Sequence, residues 1–155
     1  MRTALRYLGL FLILAVFITS GLQEIVNPSI GAALLAKSNF PQMLQMLGVQ
    51  YRLHAADYTA IIQATGAIFL GFSLFILLGV GRGFFAFMLA MGTIVVTLAF
   101  HVNLENPMAT RESEVFHIMK NLSITGALLF VAGSGHRSHN FSKAHREVHQ
   151  EQKKK

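Results

Sequence analysis

Apolar side chains are gathered along this chain into four long intervals separated by short polar ones. Tyr7 to Gln23 and Tyr58 to Gly81 carry no charged side chain, and Gly83 to Leu104 carries none unless His101 is protonated. Asn121 to Gly135 is the fourth, shorter interval; Val115–Lys120 can extend it backwards, as Gln23–Val26 extends the first. A helix needs about 20 apolar residues to cross a hydrocarbon core of about 30 Å. The pattern predicts an all-α transmembrane four-helix bundle, with spans near residues 4–26, 56–80, 83–104 and 112–134. Arg2 and Arg6 ahead of Leu8–Phe17 also fit a signal peptide, with Ile18–Ser20 as a passable cleavage site, but we read the segment as the first span.

Between the first two spans, Ile30–Ala36 and Met43–Leu53 are apolar enough to lie on a membrane surface. Asn27-Pro28 breaks the chain before the first of them, and Ser38-Asn39-Phe40-Pro41 breaks it between the two. Short interfacial helices are expected in this first outer loop, with Met43, Met46 and Leu47 as buried packing.

Helical periodicity predicts which faces meet. Ala86, Ala90, Thr93, Thr97 and His101 form one narrow stripe of small and polar residues on a helix otherwise built of bulky side chains. In lipid, association depends on close backbone approach and interhelical hydrogen bonds, so such a stripe marks a packing face. Thr59, Gln63, Gly66 and Ala67/Gly71 suggest the same for the second span, Glu114, His117, Asn121 and Thr125 for the fourth, and Gly21 with Glu24 for the first.

Composition agrees with a membrane protein. Charged residues make up 13% of the chain, against about 25% in ordinary soluble domains, and mean hydropathy is +0.50. The 155 residues allow one four-helix transmembrane domain, residues 1–135, followed by a basic, His-rich tail, residues 136–155. No room remains for a soluble catalytic domain. The chain has no cysteine, which excludes disulfides and thiol chemistry. Nine of the 13 Lys and Arg residues fall at the termini and in the turn around Arg82, leaving Lys37, Arg52, Arg111 and Lys120 for the other side. The positive-inside rule then puts both termini on the cytoplasmic, matrix or stromal side. Organellar inner membrane, endoplasmic reticulum and bacterial inner membrane all stay open. Much of the net charge of +6 belongs to the tail, so it does not point to nucleic acid.

With that topology, Glu24, Gln63, His101, His117, Lys120 and Asn121 converge on the outer half of the bundle. Intramembrane polar groups of this kind usually face a bundle interior or a cavity. One reading is a satisfied network that pins the helices, with Glu24 paired to Lys120 or His101 bonded to Gln63. The other is a pocket for a quinone or lipid head group or a peptide. A metal held by His101, His117 and a carboxylate is the weakest reading, because no tight ligand pair accompanies them. His136, His139, His145 and His149 lie in the basic tail, where solvation is the simpler account. No catalytic residues, metal site or cofactor are assigned; the one glycine cluster, Gly79-Val80-Gly81-Arg82-Gly83, is a turn.

Three segments resemble the DoxX-like superfamily of four-span membrane proteins, which includes the Surfeit-locus cargo-receptor-like branch. They are Arg6 with the span ending Phe17-Ile-Thr-Ser-Gly21-Leu-Gln-Glu24, then Ile61-Ile-Gln-Ala-Thr-Gly66-Ala-Ile-Phe-Leu-Gly71, then Phe116-His-Ile-Met-Lys120-Asn121-Leu-Ser-Ile-Thr-Gly126. Gln63 stands where members often have Glu, and Gln23 near where many have Lys, so the shared polar level carries less charge here. The resemblance implies a non-catalytic subunit or assembly factor of a larger membrane complex, with the bilayer, other membrane subunits or further copies of itself as partners. The alternative is a quinone- or lipid-binding subunit of a membrane oxidoreductase.

Overall fold

The computed structural model describes residues 2–49, 51–102 and 110–152, with side chains only within residues 4–134 of these. Every regular element among them is helical: α1 (Arg2–Val26), α2 (Pro28–Lys37), α3 (Phe40–Met46), α4 (Ala55–Leu78), α5 (Arg82–Phe100) and α6 (Glu112–Gln152). Four helices contain segments long and apolar enough to cross a membrane: Ala4–Val26, Ala55–Leu78, Arg82–Phe100 and Glu112–Ser134. This is the architecture of a multi-pass membrane protein, a bundle of four long helices with two short ones in the first long loop.

The breaks follow from local chemistry. Pro28 disfavours helix at Asn27 and lacks an N–H, so α1 stops and Pro28 starts α2 in its first turn. Ser38 is extended; its Oγ donates to the Leu35 carbonyl at 2.7 Å and accepts from the Phe40 N–H at 3.1 Å. At the start of α4 the His54 N–H donates to the Asp57 carboxylate at 2.8 Å, which satisfies a donor the helix leaves free. Gly79, at φ +80°, closes α4 through Gly79 N–H to Ile76 O and Val80 N–H to Phe75 O, a left-handed close that glycine adopts without strain.

Helices pack as α1 on α4 and α5 on α6, with α4 also against α5 and α2 laid along α4. The main core joins Leu10, Leu14, Phe17, Ile76, Ala86, Leu89, Ala90 and Leu128. A smaller cluster of Ala32, Leu35 and Ile62, flanked by Phe40, Tyr58, Ile61 and Phe100, ties α2 to α4 and α5. One end of the bundle, the turn end, is marked by Tyr7, Arg82 and Ala132. The Arg82 guanidinium lies 5.7 Å over the Tyr7 ring, and a Cβ on Gly83 would meet the Ala132 carbonyl oxygen at 3.1 Å. The opposite, loop end carries α2, α3 and the start of α6.

Between 11% and 28% of each apolar span segment is buried within the protein. Leu8, Phe11, Leu12, Phe84, Phe116, Leu122 and Phe130 all face outward. Lipid, not water, is the solvent such a surface suits.

Several expectations change. Of the stripe expected on the second span, Gly66 is buried against α1, but Gln63 and Ala67 do not pack. The inward face of α4 is Ile62, Gly66, Ser73 and Ile76, while Gln63 and Ala67 are exposed and a Cβ on Gly71 would meet nothing within 4 Å. Apolar contact with α1 and α2 decides the rotation, and a polar stripe on a mostly apolar helix proved a weaker guide. Met46 and Leu47, expected to be buried, are 69% and 78% exposed, because α3 has no buried residue and rests on its neighbours by one side only. The third span ends at Phe100, with His101 as its cap, and the expected extension to residue 104 enters residues 103–109, outside the described set. The fourth span and the tail are one helix: α6 runs 41 residues without a break.

Candidate functional site

The residues expected to form one polar level divide into two groups at the loop end. No hydrogen bond or ion pair joins them among the described residues.

The first group lies where α1 crosses α4. Gly21 and Gly66 bring the two backbones together: a Cβ on Gly21 would sit 2.7 Å from the Gly66 carbonyl oxygen. Glu24, one turn further along α1, rests on Gly66, whose added Cβ would lie 2.8 Å from the Glu24 Cβ and 3.3 Å from its Oε2. Ser20 Oγ donates to Glu24 Oε1 at 3.2 Å, whereas Oε2 is buried and has no hydrogen-bond partner. Beside this carboxylate a cleft of about 170 Å³ opens between α1 and α2, lined by Ser20, Gln23, Glu24, Asn27, Ile30, Gly31 and Leu34. Pro28 creates it by ending α1 and redirecting the chain across α4. Gly31 holds α2 low over α4, since its Cβ would lie 3.0 Å from Ile62 Cγ2.

The second group lies where α5 meets α6. His101 Nδ1 and Glu114 Oε2 share a 2.6 Å hydrogen bond. The His117 ring stacks on His101 with centroids 4.9 Å apart and planes within 10°. Asn121 Nδ2 donates to Thr97 Oγ1 at 3.0 Å, and Thr97 Oγ1 donates to the Thr93 carbonyl at 2.7 Å. Deeper along the same interface Thr93 and Thr125 are buried and return their hydroxyls to Leu89 O and Asn121 O. The small stripe on α5 is therefore the face that packs, with Phe87 and Leu98 turned outward.

The pairings expected for these residues do not form. Glu24 does not reach Lys120, and His101 bonds Glu114, not Gln63. The reason is helix pairing: α1 rests on α4, whereas Lys120 is on an exposed face of α6, which rests on α5. Lys120 and Gln63 are both exposed, and neither makes a hydrogen bond among the described residues. His117 touches only the edge of its group through the His101 stack. The side chains of the tail histidines lie outside the described residues.

One residue here had been taken for part of a break alone. Asn39, between α2 and α3, donates its N–H to Ala99 O at 2.9 Å and its Nδ2 to Leu98 O at 3.2 Å and to Val102 O. The last carbonyls of a helix have no partner within it, and Asn39 supplies donors to two at the end of α5 and to the Val102 carbonyl just beyond it. An Asn just before an X-Pro step was the available signal, but nothing in the sequence says which helix end it serves. Among the described residues no group of three His, Asp or Glu side chains is placed to hold a metal ion.

No protein-family model, curated protein or solved structure matches the chain.

Proposed function

We propose that this chain is a non-catalytic subunit or assembly factor of a larger membrane complex, in keeping with its resemblance to the DoxX-like superfamily. Its termini then lie on the cytoplasmic, matrix or stromal side. The observation that carries the reading is α6. Its span is the least covered of the four, with 11% of the apolar segment buried and Phe116, Met119, Leu122 and Phe130 outward. The same helix continues past Ser134 to Gln152, about 27 Å further at 1.5 Å per residue, through the basic segment with Arg137, Lys143 and Arg146. A lone polar helix is marginal in water. A rod of this composition suits an acidic partner at the membrane surface, while the outward face of the span suits a neighbouring transmembrane helix.

Affinity capture of the full chain from its native membrane in mild detergent tests this, beside a chain ended at Ser134. A defined set of membrane proteins should accompany the full chain and fall away from the shortened one. Recovery of the full chain as a monomer with no stoichiometric companion would overturn the proposal.

A further inference from the structure

We propose that the cleft between α1 and α2 binds the head group of a membrane lipid carrying a primary ammonium, of the phosphatidylethanolamine type. The cleft opens within one helical turn of the end of α1, where a span meets the head-group layer. Its volume of about 170 Å³ equals the liquid volume of five or six waters, roughly. That admits a head group and leaves the acyl chains outside, against Ile30 and Leu34, which are 63% and 56% exposed.

The lining chooses the head group. Glu24 is the only charged side chain among the lining residues, and its sole protein partner is the Ser20 hydroxyl, on one oxygen. Lys120, the cation expected to neutralise it, is elsewhere. A carboxylate half withdrawn from solvent favours an ammonium donor and disfavours an anion placed alone beside it. The Gln23 and Asn27 amides make no side-chain hydrogen bond among the described residues, so both are available. Each offers donors to a phosphate oxygen, which in this lipid lies two carbons from the ammonium. Glu24 therefore takes the ammonium, Asn27 and Gln23 take the phosphate, and Ile30 and Leu34 meet the glycerol and upper acyl chains. A trimethylammonium head group has no N–H to give and loses the first of these contacts.

The full chain in mixed micelles with equal amounts of phosphatidylethanolamine and phosphatidylcholine of identical acyl chains supplies the test, read by native mass spectrometry. The wild type should retain the ethanolamine lipid about tenfold over the choline lipid, the effect of a charge-assisted hydrogen bond. Equal retention overturns the proposal. Glu24→Gln should reduce the preference to about twofold or less; a preference left intact overturns it. Because Glu24 packs on Gly66, a second variant, Leu34→Trp, fills the apolar wall and leaves the α1/α4 crossing alone. Retention of both lipids should fall severalfold, and unchanged retention in a folded Leu34→Trp protein also overturns the proposal. Displacement of bound lipid by a short lysine peptide at lower concentration than by added phosphatidylethanolamine would assign the cleft to a protein lysine instead.

Discussion

Gly21→Ala tests the closest contact in the bundle. The added methyl would lie 2.7 Å from the Gly66 carbonyl oxygen, 3.3 Å from the Leu70 nitrogen and 3.4 Å from the Leu70 Cβ. Two of these are backbone atoms within a helix and cannot rotate away. Relief requires α1 and α4 to separate by about 0.7 Å, and a gap of that size forfeits a quarter to a half of the dispersion energy of the atoms it parts. Lipid competes for the exposed apolar surface, so close packing is a large part of what holds the pair. The expected cost is about 1–3 kcal/mol, the usual range for overpacking. Alanine gains about 1 kcal/mol over glycine in a helix in water, but a span separated from its neighbours in the bilayer stays helical, so most of that gain cancels. Gly66→Ala meets Glu24 Cβ and Gly21 O, both at 2.8 Å, and should cost a similar amount. The double substitution should cost less than the sum, because one separation makes room for both methyls. Gly9→Ala and Gly126→Ala are the controls, since a Cβ at either meets nothing within 4 Å. The chain lacks cysteine, so dyes on cysteines introduced at Leu5 and Val80 can follow unfolding in mixed micelles by energy transfer. A Gly21→Ala protein as stable as the Gly9→Ala control would show that α1 and α4 do not cross this closely.

Asn39→Ala removes the donors to Leu98 O and Val102 O and should cost about 1 kcal/mol, the usual loss for a helix cap; amide exchange should rise at the end of α5 and stay unchanged at its start. Asn121→Ala and Thr97→Val each break the bond between these two side chains, and their coupling in a double-mutant cycle should be about 0.6 kcal/mol, as for hydrogen bonds between membrane helices; zero coupling would mean the bond does not form. Glu24→Gln and Lys120→Ala should be additive within about 0.5 kcal/mol, since each residue rests on a different helix; a larger interaction energy would restore the ion pair that the fold denies.

The four long helices were legible in the sequence because their signal is length and lack of charge, which needs no partner. The breaks were legible for a similar reason: Pro28, Pro41 and Gly79 act on their own backbone. The α5 stripe was read correctly because α5 packs on both sides of it, against α4 and α6, and small residues are the residues that allow this. On α4 the same reasoning held for Gly66 and failed for Gln63 and Ala67. That helix is apolar almost all round, so its polar positions do not determine its rotation, and Ile62 and Ser73 turned inward while Gln63 turned out.

Partner choice was the harder problem, and the candidate site shows why. Periodicity places Glu24, His101 and Lys120 at one depth, but depth is shared by every helix in a bundle and carries no information about adjacency. Adjacency comes from where backbones approach closest, here Gly21 against Gly66 and Gly83 against Ala132. The first of these contacts fixes Glu24 against α4. The second helps to fix α6 against α5, which directs Glu114 toward His101 and leaves Lys120 outside. Once the pairs α1/α4 and α5/α6 are set, Lys120 is out of reach and the α1 carboxylate forms no ion pair among the described residues. It is left beside the opening that Pro28 makes between α1 and α2. The close contacts of Gly21 with Gly66 and of Gly83 with Ala132 thus leave Glu24 with Ser20 as its one hydrogen-bond partner among the described residues, beside the cleft between α1 and α2.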